Sequence, residues 1–206
     1  MDASIHAPLV SRIRGLKSPD PDVTAPIASK GAIVWLTGLS GSGKTTIAAG
    51  LADALRRDRP GVCVLDGDEL RRGVNSDLGF SPEDRAENVR RVAEMARLLA
   101  GEGLVVIVAL ISPFQKGRSN ARAIALAAKI AFIEVYLNCP MAVCERRDPK
   151  GLYKKARTGT LTEFTGIDSG YEAPLEPEIV LFTAAESAGE STTALLEFLR
   201  DRLVFA

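Results

Sequence analysis

The octapeptide Gly38-Leu39-Ser40-Gly41-Ser42-Gly43-Lys44-Thr45 constrains this chain more than any other feature of its sequence. It fits the pattern G-x-x-x-x-G-K-[ST] and lies between a continuous apolar run, Ala32–Thr37, and an amphipathic helical pattern, Thr45–Arg57. Glycines let backbone N–H groups turn toward phosphate oxygens without side chains in the way. A helix N-terminus behind them adds a fixed positive partial charge. Lys44 is then placed to reach the β and γ phosphates of a nucleoside triphosphate, and the Thr45 hydroxyl to ligate Mg²⁺. A glycine-rich turn matching by chance would not carry a buried strand on one side and a helix on the other.

The rest of the chain continues that alternation. Strands are expected at Val62–Leu65, Leu104–Ile111, Phe132–Leu137 and Ile179–Phe182, and helices at Pro82–Ala100, Asn120–Ala128 and Thr192–Leu203. Ser81 before Pro82, with Asp84 three places on, is a helix start. Short apolar strands separated by helices predict an α/β fold: a P-loop NTPase-like parallel sheet flanked by helices on both faces, with ligands beyond the carboxyl ends of its strands. Residues 1–30, with four prolines and the only histidine, His6, are expected to form a flexible leader ahead of one domain over 31–206. Residues 148–177 are rich in Lys, Arg, Gly and Pro and show little apolar periodicity, so a lid segment without a packed face of its own is expected there.

Composition removes several classes of function. A single histidine excludes a Ser-His-Asp triad, a Cys-His dyad and the common zinc sites. Three cysteines, Cys63, Cys139 and Cys144, make no disulfide scaffold and read as buried small hydrophobes. Basic and acidic residues balance at 26 each, so no whole-chain field draws in nucleic acid or anionic membrane. Without a signal peptide or a membrane-length apolar run, a cytoplasmic protein with no membrane contact is expected. No Asn-Lys-x-Asp follows a later strand to select guanine, and the length is short for a mechanical ATPase. A small-molecule kinase is the class left.

The acceptor side begins at Asp66 and Asp68, at the carboxyl end of the second strand. Carboxylates there suit a general base, or support for Mg²⁺ through its water. Arg71 and Arg85 suit a multiply anionic acceptor, because guanidinium grips phosphate or sulfate bidentately. A solvated helix surface would account for Arg71, Arg72, Arg85, Arg90 and Arg91 as well, least readily for Arg71 beside Asp66. The run Asp66-Gly-Asp-Glu-Leu-Arg-Arg-Gly-Val-Asn-Ser-Asp-Leu-Gly-Phe-Ser81, followed by Asp84-Arg85 and Glu87-Asn88-Val89-Arg90-Arg91, resembles the adenylylsulfate kinase (APS kinase) family. Ile111–Phe114, Arg147–Lys154, Phe164–Asp168 and Tyr171–Pro174 agree with it, so the resemblance spans roughly residues 31–183. Arg72 and Glu69 depart from it, standing where His and Asn are common.

That resemblance implies transfer of the γ-phosphoryl of ATP to the 3′-hydroxyl of adenosine 5′-phosphosulfate, in sulfate assimilation. It implies that Arg71, Arg85, Asn88, Ile111 and Ser112 surround the sulfonucleotide, that Phe80 and Phe164 stack on its adenine, and that Asp66 is the candidate base. It extends the ATP site from the phosphate loop to Thr46 and Arg147, and the acceptor site to Lys150, Gly151 and Leu152. Lys154, Lys155 and Arg157 are further lid cations. Ser112 matches a position described as a phosphoserine intermediate in the family, yet no basic partner that would activate it stands in the sequence, which favours a substrate-binding role. The family further implies a homodimer and a functional coupling to ATP sulfurylase.

Overall fold

The computed structural model describes residues 31–58 and 60–202. The expected leader, with His6, and the end of the closing helix at Leu203 lie outside the described residues. In chain order the elements are β1 (Ala32–Thr37), α1 (Lys44–Arg56), β2 (Val62–Asp66), α2 (Gly67–Arg72), α3 (Pro82–Gly101), β3 (Val105–Ala109), α4 (Gln115–Ala127), β4 (Ala131–Leu137), α5 (Met141–Arg147), α6 (Leu152–Arg157), β5 (Ile179–Leu181) and α7 (Ala188–Arg202).

The strands pair in parallel in the order β2-β3-β1-β4-β5. β1 is the middle strand, and its apolar run is continuous because both of its faces are covered. Val34 and Leu36 pack with Leu51 and Leu55 of α1 and Leu195 of α7. Ile33 and Trp35, which alternate with them, pack with Val92 and Ala96 of α3 and Ala121 of α4 on the other face. Burying a side chain of the size of Leu51 contributes about 2 kcal/mol, so these two cores hold the frame on which the loops sit.

The chain runs from β1 to β2 and β3 on one side, then crosses back over β1 to β4 and β5. Strand order reverses at β1, which opens a crevice at its carboxyl end. The phosphate loop follows β1 directly, and Asp66 closes β2 beside it.

Three expectations change. The segment 148–177 has a packed face: Tyr153, Ala156 and Phe164 form a third core with Cys139 and Cys144, against Leu39 of the phosphate loop. Its apolar residues are spread over one short helix and a long loop, so no helical period reveals them. Cys63 is only half-buried, unlike the other two cysteines, because β2 is an edge strand. The helix expected from Asn120 begins five residues earlier, at Gln115, whose N–H is capped at 2.6 Å by the Glu172 carboxylate from across the chain. Among the described residues no helix is long and apolar enough to cross a membrane.

Candidate active site

One cavity of about 1190 Å³ opens at the carboxyl ends of the strands, lined by the phosphate loop, α2, α3, the loop after β3 and the 147–165 segment. Its donor end is mostly backbone. Gly41 has φ +75°, and a Cβ there would stand 2.9 Å from the Cys144 carbonyl oxygen; Gly43 has φ +101°. Both positions therefore demand glycine. Lys44 Nζ donates to the carbonyls of Gly38 at 2.9 Å and Leu39 at 2.7 Å. Burial pulls this ammonium down from 10.5 to about 8, with nearby Lys150 reinforcing the shift and Cys144 and Asp66 opposing it. Gly38 and Leu39 thus sit behind the loop, while Ser40 to Thr46 line the cavity. At the far end of the donor side Arg147 donates to the carbonyls of Thr183 and Gly41.

Thr45 and Asp66 mark the seam. Thr45 Oγ1 donates to Asp66 Oδ2 at 2.7 Å, and Asp66 Oδ1 accepts the Asp68 N–H at 2.9 Å as the N-cap of α2. A hydroxyl and a carboxylate, both hard oxygen donors, suit Mg²⁺, which takes few protein ligands and fills its remaining positions with phosphate and water. No group of three His, Cys, Asp or Glu side chains able to hold a metal occurs among the described residues, as such a phosphate-borne ion requires none.

Side chains dominate the acceptor end. Arg71 lies over the Phe80 ring at 4.4 Å and donates to the Leu78 and Gly79 carbonyls. Arg85, 7 % exposed, donates to the carbonyls of Phe80 and Glu163. Burial lowers both guanidinium pKa values, and neither has a carboxylate within ion-pair distance among the described residues. Arg72, Arg90 and Arg91, in contrast, are paired with Glu69, Glu87 and Asp77 on the surface. Two unpaired cations facing one cavity, Arg71 half-buried and Arg85 buried, are a site for an anion. Phe80 offers a ring that is 46 % exposed. Phe164 lines the cavity too, but it is 6 % exposed and edge-on to Tyr153 at 4.9 Å, so little of its ring is free.

Ile111, Ser112 and Asn88 complete this wall. Ser112 stands at φ +44°, a left-handed backbone that non-glycine residues avoid. It is held there by Thr37, which donates to the Ile111 carbonyl at 2.7 Å, and by Arg118, which donates to the Ser112 carbonyl at 2.7 Å. Ser112 is 3 % exposed, and its hydroxyl accepts from Trp35 Nε1 at 3.0 Å. The lid reaches the site through Lys150, which pairs with Asp68, and through Leu152 and Lys155 on the cavity wall. Gly151, at φ +65°, starts α6 without lining the cavity. Arg157 is engaged by Glu145 at 2.8 Å. Tyr153 donates to the Ser40 carbonyl at 3.0 Å and so ties lid to phosphate loop.

Sequence reasoning did not reach Thr183, Glu186 and Ala188, which line the cavity beside Arg147. Their place just beyond the last strand was the available signal. It also missed Trp35, Arg118 and Asn75, buried polar side chains without a motif of their own. Three buried hydroxyls of the cavity wall, those of Ser42, Thr165 and Thr183, have no protein partner. A polar ligand would satisfy them.

The family model described as adenylylsulphate kinase matches residues 30–193. An adenylyl-sulfate kinase of Geotalea daltonii is 51 % identical over 170 residues, covering 82 % of this chain and 83 % of that protein. One of Bacillus licheniformis is 52 % identical over 173 residues, covering 84 % and 87 %. Among solved structures, the APS kinase CysC of Mycobacterium tuberculosis, in complex with AMPPNP and APS, superposes with a TM-score of 0.81 at 47 % identity. The match covers 83 % of this chain and 98 % of that one.

Proposed function

The chain belongs to the adenylylsulfate kinase family, and on that premise we propose that its cavity carries the γ-phosphoryl of ATP to the 3′-hydroxyl of adenosine 5′-phosphosulfate. It is an ATP-dependent phosphotransferase, and its products are ADP and 3′-phosphoadenosine 5′-phosphosulfate. The observation that carries the reading is a single cavity with a phosphate loop at one end and, facing it, the unpaired Arg71 and Arg85 beside an exposed Phe80 ring.

The donor triphosphate lies along the loop N–H groups, from Ser40 to Thr46, with Gly38 and Leu39 behind them, and Arg147 borders its base. Lys44 exchanges its carbonyl partners for phosphate oxygens and neutralises the charge that spreads over the transferring group. Mg²⁺ would be held by Thr45 and, directly or through water, by Asp66 or Asp68, and would supply charge neutralisation between the phosphates. On the acceptor side Arg71 and Arg85 take the phosphosulfate, Phe80 covers the adenine with only the free edge of Phe164 beside it, and Asn88, Ile111, Lys150 and Leu152 complete the pocket, Gly151 serving to start α6.

Asp66 takes the proton of the attacking hydroxyl. Each of its carboxylate oxygens already accepts one hydrogen bond, from Thr45 and from the Asp68 N–H, and keeps a lone pair for that proton. Transfer is direct, in line from ATP to the 3′-oxygen. The Ser112 hydroxyl accepts from Trp35 and has no basic side chain hydrogen-bonded to it among the described residues. Its role is to shape the wall. Lid contacts from Lys150 to Asp68 and from Tyr153 to Ser40 support closure that excludes water.

We place residues 31–206 in one catalytic unit, working in the cytoplasm as a homodimer and fed by ATP sulfurylase, whose product is the acceptor. The test is ADP release from Mg-ATP with adenosine 5′-phosphosulfate, beside gluconate, shikimate and AMP. Turnover with the sulfonucleotide alone is expected. Equal turnover with AMP would remove the role given to the sulfate, and none with any acceptor would remove the kinase reading.

A further inference from the structure

Asn75 lies in the turn between α2 and α3, fully buried at 0 % exposure, and does not line the cavity. Its backbone is fixed, the N–H donating to the Leu70 carbonyl at 2.9 Å and the carbonyl accepting from the Leu78 N–H at 3.2 Å. Its side-chain Nδ2 donates to Asn88 Oδ1 at 3.0 Å, while its own Oδ1 has no partner. Asn88 does line the cavity, at 6 % exposure, and its amino group has no protein partner among the described residues.

An asparagine amide has an acceptor end and a donor end, and nothing in its own shape decides which end meets a ligand. Asn75 decides it here, because it occupies the acceptor end of Asn88 with an N–H. Turning the Asn88 amide over would leave both N–H groups of Asn75 buried and unpaired. A stranded buried N–H is less tolerated than the stranded carbonyl oxygen the structure accepts at Asn75. The backbone bonds hold the turn in place, and if the Asn75 amide turned over together with that of Asn88, its NH2 group would be stranded in the interior where now only its carbonyl oxygen is.

We propose that Asn75 is a positioning residue that locks the Asn88 amide donor-first toward the acceptor pocket. Asn88 then joins Arg71 and Arg85 as a third N–H donor on this part of the wall. Such a wall favours a ligand surface made of acceptors, the ribose, base-nitrogen or phosphosulfate oxygen and nitrogen atoms of the acceptor, and gives nothing to a donor group placed there. The proposal rests on the acceptor reading given above.

Steady-state kinetics on wild type, Asn75→Ala, Asn88→Ala and the double variant test it, with each substrate varied while the other saturates. Asn75→Ala is expected to raise KM for adenosine 5′-phosphosulfate about tenfold, the worth of one well-placed hydrogen bond, with kcat and KM for ATP within about twofold. In the Asn88→Ala background the same change should add nothing, since no amide is left to orient. An equal rise in both backgrounds, or no rise in either, would overturn the proposal in favour of a structural role. Should Asn75→Ala fail to fold, the wild type still decides. The Asn88 side-chain N–H resonances should shift when the sulfonucleotide is titrated in, and their failure to move overturns the idea. Absence of wild-type turnover would be a different result, removing the acceptor reading itself and this inference with it.

Discussion

Around the phosphate loop the cavity is walled by backbone, and across from it by side chains. At the donor end two glycines in left-handed conformations turn N–H groups inward, and the one side chain that matters, Lys44, rests on loop carbonyls. At the acceptor end Arg71, Phe80, Arg85, Asn88 and the Ile111–Ser112 turn come from separate elements. All but Phe80 are held by groups of other segments: the Leu78 carbonyl, the Glu163 carbonyl, Asn75, Trp35 and Arg118. A backbone cradle needs only a local sequence, so the donor end serves many chemistries. A side-chain wall needs partners that themselves fit, and it is there that one acceptor is told from another.

Asp66 belongs to both halves, and it offers the sharpest way to break the division. Asp66→Asn keeps the shape and the N-cap oxygen but removes the proton acceptor. Transfer is expected to slow by about 10²–10⁴-fold, with ATP affinity nearly unchanged, as read by turnover beside equilibrium nucleotide binding. A rate near that of the wild type would remove Asp66 as the base. A matching loss of ATP affinity would instead assign it wholly to the donor half.

The same contrast decides what the sequence discloses. The phosphate loop and the alternating strands are legible because their determinants are neighbours in the chain. Ser81 and Pro82 announce α3, and the Ser81 hydroxyl accepts the Asp84 N–H at 3.1 Å as that pattern predicts. The start of α4 is not legible, since its cap is Glu172 and its buried Arg118 interrupts the apolar face. The start of α7 was available: Ser187 and Glu190 form a reciprocal capping box, which places it before the apolar period that begins near Thr192. At the site, Arg71 and Arg85 look no different in sequence from Arg90 and Arg91. Only the fold shows that the second pair is neutralised by Glu87 and Asp77 and the first is not. Resemblance to a family supplied the acceptor residues, whereas the side chains that hold them have no motif to be found by.

Proton linkage tests the donor half alone. Burial sets Lys44 near 8 in the free protein, so above that pH the loop loses the charge that ATP selects. The ratio kcat/KM for ATP should then fall about tenfold per pH unit above 8, and ATP binding at such a pH should take up a proton, measurable from the buffer dependence of the binding enthalpy. KM for the sulfonucleotide should not follow. Stability carries the opposite sign. The folded-state value is depressed below the ordinary 10.5, so between 8 and 10.5 the unfolded chain holds more protons, and the Lys44 contribution to stability rises with pH. Activity falling while this contribution rises separates loss of Lys44 charge from alkaline unfolding.

The smallest expected effect on catalysis falls on the residue that family resemblance makes most prominent. Ser112 is part of the cavity wall, yet its hydroxyl accepts from Trp35 and its carbonyl from Arg118, and both hold it to the frame. Ser112→Ala should therefore leave kcat within about threefold of wild type, but strand the Trp35 N–H in the core and lower stability by about 1–3 kcal/mol, seen as a reduced denaturation midpoint. Radiolabelled ATP given without acceptor should leave no phosphate on the protein. Label trapped on wild type and lost with activity in Ser112→Ala would mean that the phosphoryl group pauses on the wall. The acceptor half would then do covalent chemistry as well as select its ligand. With Ser112 held by Trp35 and Arg118 and no basic side chain hydrogen-bonded to its hydroxyl among the described residues, direct transfer is the course that requires no rearrangement of the structure.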